Sequence, residues 1–295
     1  MDCNEKVEVQ KAQSAMEYLM TYGWAILVIA VVLGVLFQLG VFNSSNLGPR
    51  AQPGSCHVYR PDGTGTTNYI SLEGACNGEL PQYAATGQGQ ITISKEFLQN
   101  NSFTILAWVY WPPGTNLGSF DHGYAWSGPS TQDEGFGIFE RSDHWYLNFY
   151  GDDLQCNGGP VAGKWYMFGA SWNNATKNQT IWVNGALNCT RTSSGSLVTG
   201  EPLYLLSATG TWDGTAALGG GYVSNVQLYN TPLAYNSIRA LYLEGIGGAP
   251  ENLQNLVGWW PLNGNAQDYS GNIKNGQISG SVTFTSQWMN GYTAP

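Results

Sequence analysis

The sequence predicts an antiparallel β-sandwich behind one long hydrophobic N-terminal α-helix. Three observations lead there. The composition is aromatic and turn-rich, with 13% aromatic residues, 39 Gly and only 11% charged residues. The run from Gln13 to Phe42 holds no Pro, and after Glu17 it holds no Asp, Glu, Lys or Arg. Beyond Cys56 short β-branched and aromatic runs alternate with Gly, Pro and Asn turn signals.

Taken in chain order, residues 1–12 are polar and carry Lys6 and Lys11. Residues 13–42 form the expected helix. Thirty residues at about 1.5 Å each span roughly 45 Å, more than a bilayer core of about 30 Å and more than a secretory h-region of about 7–15 residues. Lysines before the run and none just after it place the amino end inside and the remainder outside. Residues 43–55, "NSSNLGPRAQPGS", are a linker. Residues 56–295 are the extracellular part.

Within that part "FTILAWVYW" (103–111) and "KWYMFGASWN" (164–173) are apolar on both faces, as central strands are. "TIWVNGALN" is a hairpin turning at Asn184-Gly185. "PLYLLSAT" and "GGGYVSNVQLYN" are further strands. "AYNSIRALYLEG" is one short helix, with Ile238, Leu241 and Tyr242 on one side and Gly245 as its stop.

A net charge of −9 without a Lys/Arg cluster excludes nucleic acid as a partner. Of five cysteines, Cys3 precedes the apolar run, leaving Cys56, Cys76, Cys156 and Cys189. Four cysteines allow three connectivities, and proximity in sequence pairs Cys56 with Cys76 and Cys156 with Cys189. Zinc is the competing use, but C-x-x-C is absent and the three histidines are scattered. Five N-x-S/T sequons, at Asn43, Asn100, Asn174, Asn178 and Asn188, are N-glycosylation candidates in an exported chain, against chance in an Asn- and Thr-rich one.

Two family resemblances follow from specific motifs. The order "FTILAWVYW … HWYLNFYG … GKWYMFGASWNNATKNQTIWVNGALN … GYVSNVQLYNTPLAYNSIRALYLEG" resembles the laminin-G/concanavalin-like jelly roll over about residues 91–245. That resemblance implies the fold and leaves the function open. "NLVGWWPLNGNAQDYSGNIKNGQISG" (255–280) resembles the opening segment of such domains yet comes last here. It is either a permuted first strand or the start of a truncated repeat.

The segment "KAQSAMEYLMTYGWAILVI" resembles the class III signal peptide of archaeal type IV pilins and archaellins. The resemblance implies cleavage by a prepilin-type peptidase between Ala12 and Gln13, making Glu17 the fifth residue. Ala12 stands where many relatives have Gly. A carboxylate inside an apolar helix costs roughly 2.5–3.5 kcal/mol at the membrane centre, so Glu17 needs a partner. The new amino group of Gln13, on this chain or on a neighbouring subunit, supplies one unless that Gln cyclises. The expected function is then a pilin-like filament subunit displaying an adhesive LamG-like domain that binds surface glycans. The alternative is a monomeric membrane-anchored lectin or adhesin.

Enzymatic chemistry is not expected. The E-x-D-x-x-E pattern of jelly-roll glycosidases is absent. Asp133, Glu134, Glu140 and Asp143 have loop-like spacings that read as a solvated turn. Ser119, Asp121 and His122 could form a triad on paper, but no G-x-S-x-G elbow accompanies them. "NGNAQDYSGN" offers Asn265, Asp268, Ser270 and Asn272 as oxygen ligands for a structural Ca²⁺; relatives use this loop so, and the alternative is that Asp268 only caps the turn. No other cofactor is expected. Trp111, Tyr124, Trp126 and Trp212, beside loops, are candidates for stacking on sugar.

Overall fold

The computed structural model describes residues 22–35, 56–59, 69–72, 78–80, 83–94, 102–118, 121–129, 131–198, 200–206, 220–285, 291–293 and 295. The chain divides into two units, Met1–Arg50 and Ala51–Pro295. The expected cleavage bond Ala12–Gln13, Glu17, the sequons Asn43 and Asn100, and Cys76, Ser119 and Trp212 lie outside the described residues, as does the side chain of Cys56.

In the first unit, helix α1 covers residues 22–35, and the rest of the expected 13–42 helix lies outside the described residues. Its side chains are apolar on every face and exposed, Trp24 at 67% and Ile26 at 65%. No helix among the described residues is long and apolar enough to cross a membrane.

The second unit opens with a small sheet of β1 (Cys56–Tyr59), β2 (Tyr69–Leu72) and β3 (Gly78–Leu80), in the order β2-β1-β3. The sandwich follows. Its strands are β4 (Ala84–Gly87), β5 (Gln90–Ile93), β6 (Phe103–Tyr110), β7 (Asp121–Ser127), β8 (Phe136–Arg141), β9 (His144–Asn148), β10 (Leu154–Gln155) and β11 (Trp165–Asn173). Then come β12 (Asn178–Val183), β13 (Ala186–Thr192), β14 (Leu203–Leu205), β15 (Tyr222–Tyr229), helix α2 (Tyr235–Leu243), β16 (Leu256–Trp260), β17 (Gln277–Ser279) and β18 (Val282–Thr285). One sheet runs β10-β9-β8-β7-β14-β5-β17 and the other β13-β12-β11-β6-β15-β4-β18, with β16 also on β15. All the ladders of these two sheets are antiparallel.

The core between the sheets follows from strand alternation. Phe103, Ile105, Ala107 and Val109 of β6 meet Phe136, Ile138, Trp145 and Leu147 of the other sheet in one apolar cluster. Asn184 and Gly185 turn the β12–β13 hairpin with positive φ, 49° and 72°, the conformation such a two-residue turn demands. The C-terminal segment joins the same domain: β16 pairs with β15, β17 with β5 and β18 with β4. Cys156, just after β10, bonds to Cys189 on β13, so the outermost strands of the two sheets are tied together along one side.

Candidate functional site

The outward faces of the two sheets have different fates. On the larger sheet Leu106, Trp108, Tyr110, Trp165, Met167 and Trp182 are buried beneath a roof made by Leu233, α2 and the segment up to Trp259. Ile238 and Leu241 are the buried residues of α2, the side predicted from the sequence. Polar bonds pin the roof down: Trp259 Nε1–H donates to Asn225 Oδ1 at 2.7 Å, Asn225 Nδ2–H to Gly248 O at 2.7 Å and the Tyr229 hydroxyl to Gln227 Oε1 at 2.7 Å. This face is structural.

The outward face of the seven-stranded sheet is partly open: Asp121, Arg141, Tyr146 and Tyr204 are half-buried, whereas Trp126 and Phe139 are buried at 3% and 2% exposure. Register places Asp121 opposite Arg141, Tyr146 opposite Phe139 and Gln155, and Trp126 opposite Gly137 and Tyr204. Alternation sends Phe136, Ile138 and Glu140 inward, so Gly137, Phe139 and Arg141 share the outer face. The Phe139 and Tyr146 rings stack at 5.8 Å, and the Arg141 guanidinium lies over both, 4.8 Å and 5.1 Å from their centroids. Asp121 fixes that guanidinium from the side: Nε donates to Oδ1 and Nη2 to Oδ2, each at 2.6 Å. These hydrogen bonds raise Arg141 above its ordinary value despite partial burial. Burial likewise raises the Tyr146 hydroxyl, so it is a neutral phenol at pH 7.

Trp126 lies flat on the same face. A Cβ on Gly137 would come within 2.4 Å of Trp126 Cε3, so only glycine lets the indole cross β8. Its Nε1–H donates to Gly128 O at 2.7 Å, which fixes the ring. At the surface this leaves a platform of the half-buried Tyr146 ring and one guanidinium held in a fixed plane by a carboxylate, with the buried Phe139 and Trp126 rings beside them. An exposed ring and guanidinium of this kind can stack on the C–H face of a sugar ring and hydrogen-bond its hydroxyls.

Directly behind the platform His122 and Glu140 face the interior as the next cross-strand pair. His122 Nδ1 lies 2.8 Å from Glu140 Oε2, and the Asp143 N–H donates to Glu140 Oε1 at 2.7 Å. Glu140 is 0% and His122 3% exposed. Burial raises the Glu140 carboxyl, against the opposing bonds from His122 and Asp143. The Trp111 ring packs its edge against His122.

The sequence-derived candidates are placed as follows. Glu140 belongs to the core, not to a solvated turn, because the alternation of "FGIFER" carries it inward. Asp133, Glu134 and Asp143 do lie in turns. Burial raises the Asp133 carboxyl against the pull of Arg191. Asp121 and His122 cannot share a triad, since consecutive strand residues point to opposite faces: one meets Arg141, the other Glu140.

Trp111, Tyr124 and Trp126, expected beside loops as sugar-stacking candidates, are buried at 1%, 0% and 3% exposure. Tyr124 faces inward two residues after His122, and the β7 bulge between Gly123 and Ala125 turns Ala125 inward as well and Trp126 outward. Asn178 and Asn188 are exposed on β12 and β13, and Asn174 is half-buried in the turn before them.

Asp268 is committed to the protein. Its Oδ1 accepts the N–H groups of Trp259 and Ser270, and its Oδ2 accepts the Ser270 hydroxyl and the Lys274 N–H, all within 3.0 Å. Asn272 Nδ2 donates to the carbonyls of Leu256 and Val257, and Asn265 Oδ1 accepts the Gln267 N–H. This is a donor-lined turn in which Asp268 caps the loop; among the described residues no three His, Cys, Asp or Glu side chains group as metal ligands. The platform residues Phe139, Arg141 and Tyr146 were missed from the sequence. The signal was present in the period-two pattern of "FGIFER" and "HWYLN", which puts all three on one face once the two runs are paired.

The profile of the laminin G type 3 family, in the concanavalin A-like lectin/glucanases superfamily, matches residues 85–239, more than half of the 295. The sandwich is similar to a protein from Bacteroides ovatus described as a carbohydrate-binding candidate, with TM-score 0.53 and 15% identity, covering 74% of this chain. The matched region spans 63% of that protein's length. It is also similar to a heptameric SAP-like pentraxin from Limulus polyphemus, with TM-score 0.46 and 13% identity, over 72% of this chain and 92% of the pentraxin. A third likeness is to the binding domain of botulinum neurotoxin serotype D, with TM-score 0.43 and 12% identity, over 56% of this chain and 43% of the other. No curated protein matches the sequence.

Proposed function

The chain belongs to the concanavalin A-like lectin/glucanases superfamily, and on that footing we propose that it is a cell-surface glycan-binding protein acting through the partly open face of the seven-stranded sheet. One observation carries the reading: the larger sheet spends its outward aromatics on a roof, whereas the smaller sheet leaves Tyr146, Arg141 and Asp121 at the surface as an ordered platform. The proposed role is binding without catalysis. The inward carboxylate Glu140 is bonded to His122 and the β8–β9 turn, out of reach of a sugar on the platform. The Bacteroides ovatus likeness, in a protein described as carbohydrate-binding, supports the same reading.

The N-terminal segment completes the proposal. The leader 1–12, the bond Ala12–Gln13 and Glu17 support a pilin-like subunit processed by a prepilin-type peptidase and assembled with other pilin subunits. The all-apolar surface of α1 over residues 22–35 fits a helix that is buried after assembly, first in membrane and then in a filament core. The alternative is a monomeric anchored lectin or adhesin.

Glycan-array binding by the full chain in detergent tests the platform. Tyr146→Ala should abolish a signal that a fold-preserving change on the roof leaves intact, and undiminished binding by Tyr146→Ala would refute the site. Electron microscopy of sheared surface filaments with N-terminal sequencing tests the pilin reading. Chains beginning at Gln13 inside filaments support it; an intact Met1 confined to membranes refutes it.

A further inference from the structure

The same platform carries a charge rule. We propose that Asp121 acts as a charge gate that restricts the face to uncharged sugars and rejects sialylated, sulfated or uronic-acid glycans. This rests on the reading of the face as a glycan platform.

A guanidinium lying open on aromatic rings would be a carboxylate and sulfate trap, because its planar fork matches two oxygens at once. Here the fork is already filled. Asp121 takes Nε and Nη2 in a two-point bond at 2.6 Å each, and neither bond uses Nη1. The pair is partly sheltered, Arg141 at 27% and Asp121 at 33% side-chain exposure. An anionic sugar would have to displace Asp121 and leave that carboxylate without its partner.

The surroundings add to the repulsion. The Asp153 carboxylate acts on both Arg141 and Tyr146, so two carboxylates stand against one guanidinium. Asp153 cannot swing away, since its Oδ1 accepts the N–H groups of Phe149 and Gly151 and its Oδ2 accepts Asn148 Nδ2–H. The chain as a whole carries −9. A neutral ring meets no such penalty: it stacks on Tyr146 and the guanidinium plane while Nη1 donates to a hydroxyl. Asp121 is thus a specificity residue that acts by occupying Arg141, and its effect is separable from stacking.

The test is an array of neutral and anionic glycans probed with the full chain in detergent, as wild type, Asp121→Asn and Tyr146→Ala, at low and high NaCl. Wild type should bind neutral glycans with little dependence on salt. Asp121→Asn should gain roughly fivefold or more for anionic glycans, a gain that salt removes, as expected for a partly exposed ion pair. If Asp121→Asn fails to fold, the wild type still decides: salt should raise its residual binding of anionic glycans relative to neutral ones. Wild-type preference for anionic glycans, with Tyr146→Ala losing all binding, would overturn the charge gate and keep the platform. Absence of any glycan binding, or full binding by Tyr146→Ala, would overturn the platform and the gate with it.

Discussion

Replacing Cys156 and Cys189 together by alanine should lower the melting temperature by about 7–15 °C. The bond closes a loop with a sequence separation of 33 and joins β10 to β13, the outermost strands of the two sheets. In the chain-entropy account, a loop of that length restrains the unfolded chain by about 3.7 kcal/mol. For a domain of this size 1 kcal/mol corresponds to about 2–4 °C. Cys156 is 1% exposed within the apolar core, so alanine there leaves no unpaired polar group. The assay is thermal unfolding followed by circular dichroism, oxidised wild type against the double variant, with the reduced wild type as a control matching the variant. A shift under about 2 °C would refute the reasoning, because it would mean that the ladders alone hold the edges together.

Glu140→Ala should cost about 3–5 kcal/mol by chemical denaturation, because it strands His122 and the Asp143 N–H in the interior, whereas Glu140→Gln should recover more than half; equal losses would refute the pairing. The folded-state value of Glu140 is raised, so its contribution is fully present below about pH 4.3 and is lost as pH rises through that folded value. The stability gap between wild type and Glu140→Gln should therefore narrow with rising pH, and a gap that widens would overturn the assignment. Gly137→Ala should destabilise by about 1–3 kcal/mol and weaken glycan binding by displacing the indole, and a variant that melts and binds as wild type would show that Trp126 does not rest on β8. Millimolar Ca²⁺ and a chelator should give the same melting temperature, since protein donors fill both Asp268 oxygens; a Ca²⁺-dependent rise would show that the loop exchanges those donors for a cation.

The sandwich was readable from the sequence because its signals are local and redundant. "FTILAWVYW" is uniformly apolar and becomes a strand buried on both faces, Asn184-Gly185 turns a hairpin, and "YNSIRALYL" is the short helix with its stop at Gly245. Proximity in sequence also named the Cys156–Cys189 bond. What stayed hidden depends on partners distant in sequence. Nothing local says that α2 and β16 will roof one sheet and leave the other partly open, so Trp111 and Trp126, both buried, looked available to sugar and Tyr146 was not singled out. The facing of a strand residue also turns on a single bulge: between Gly123 and Ala125 the register slips, so Tyr124, whose hydroxyl donates to Phe168 O at 3.1 Å, and Ala125 both face the core and Trp126 falls on the outer face. Arg141 could not be placed beside Asp121 until β7 and β8 were paired.

The way the last strands flank the first sets a schedule for making the domain. β4 and β5 are the first strands of the two large sheets, and their outer neighbours, β18 and β17, are the last. While the ribosome is still short of residue 285, one side of β4 remains an unpaired edge able to capture any extended segment nearby. Both large sheets thus take their outermost strands beside β4 and β5 from residues 277–285, and neither reaches its full width until those residues have joined it.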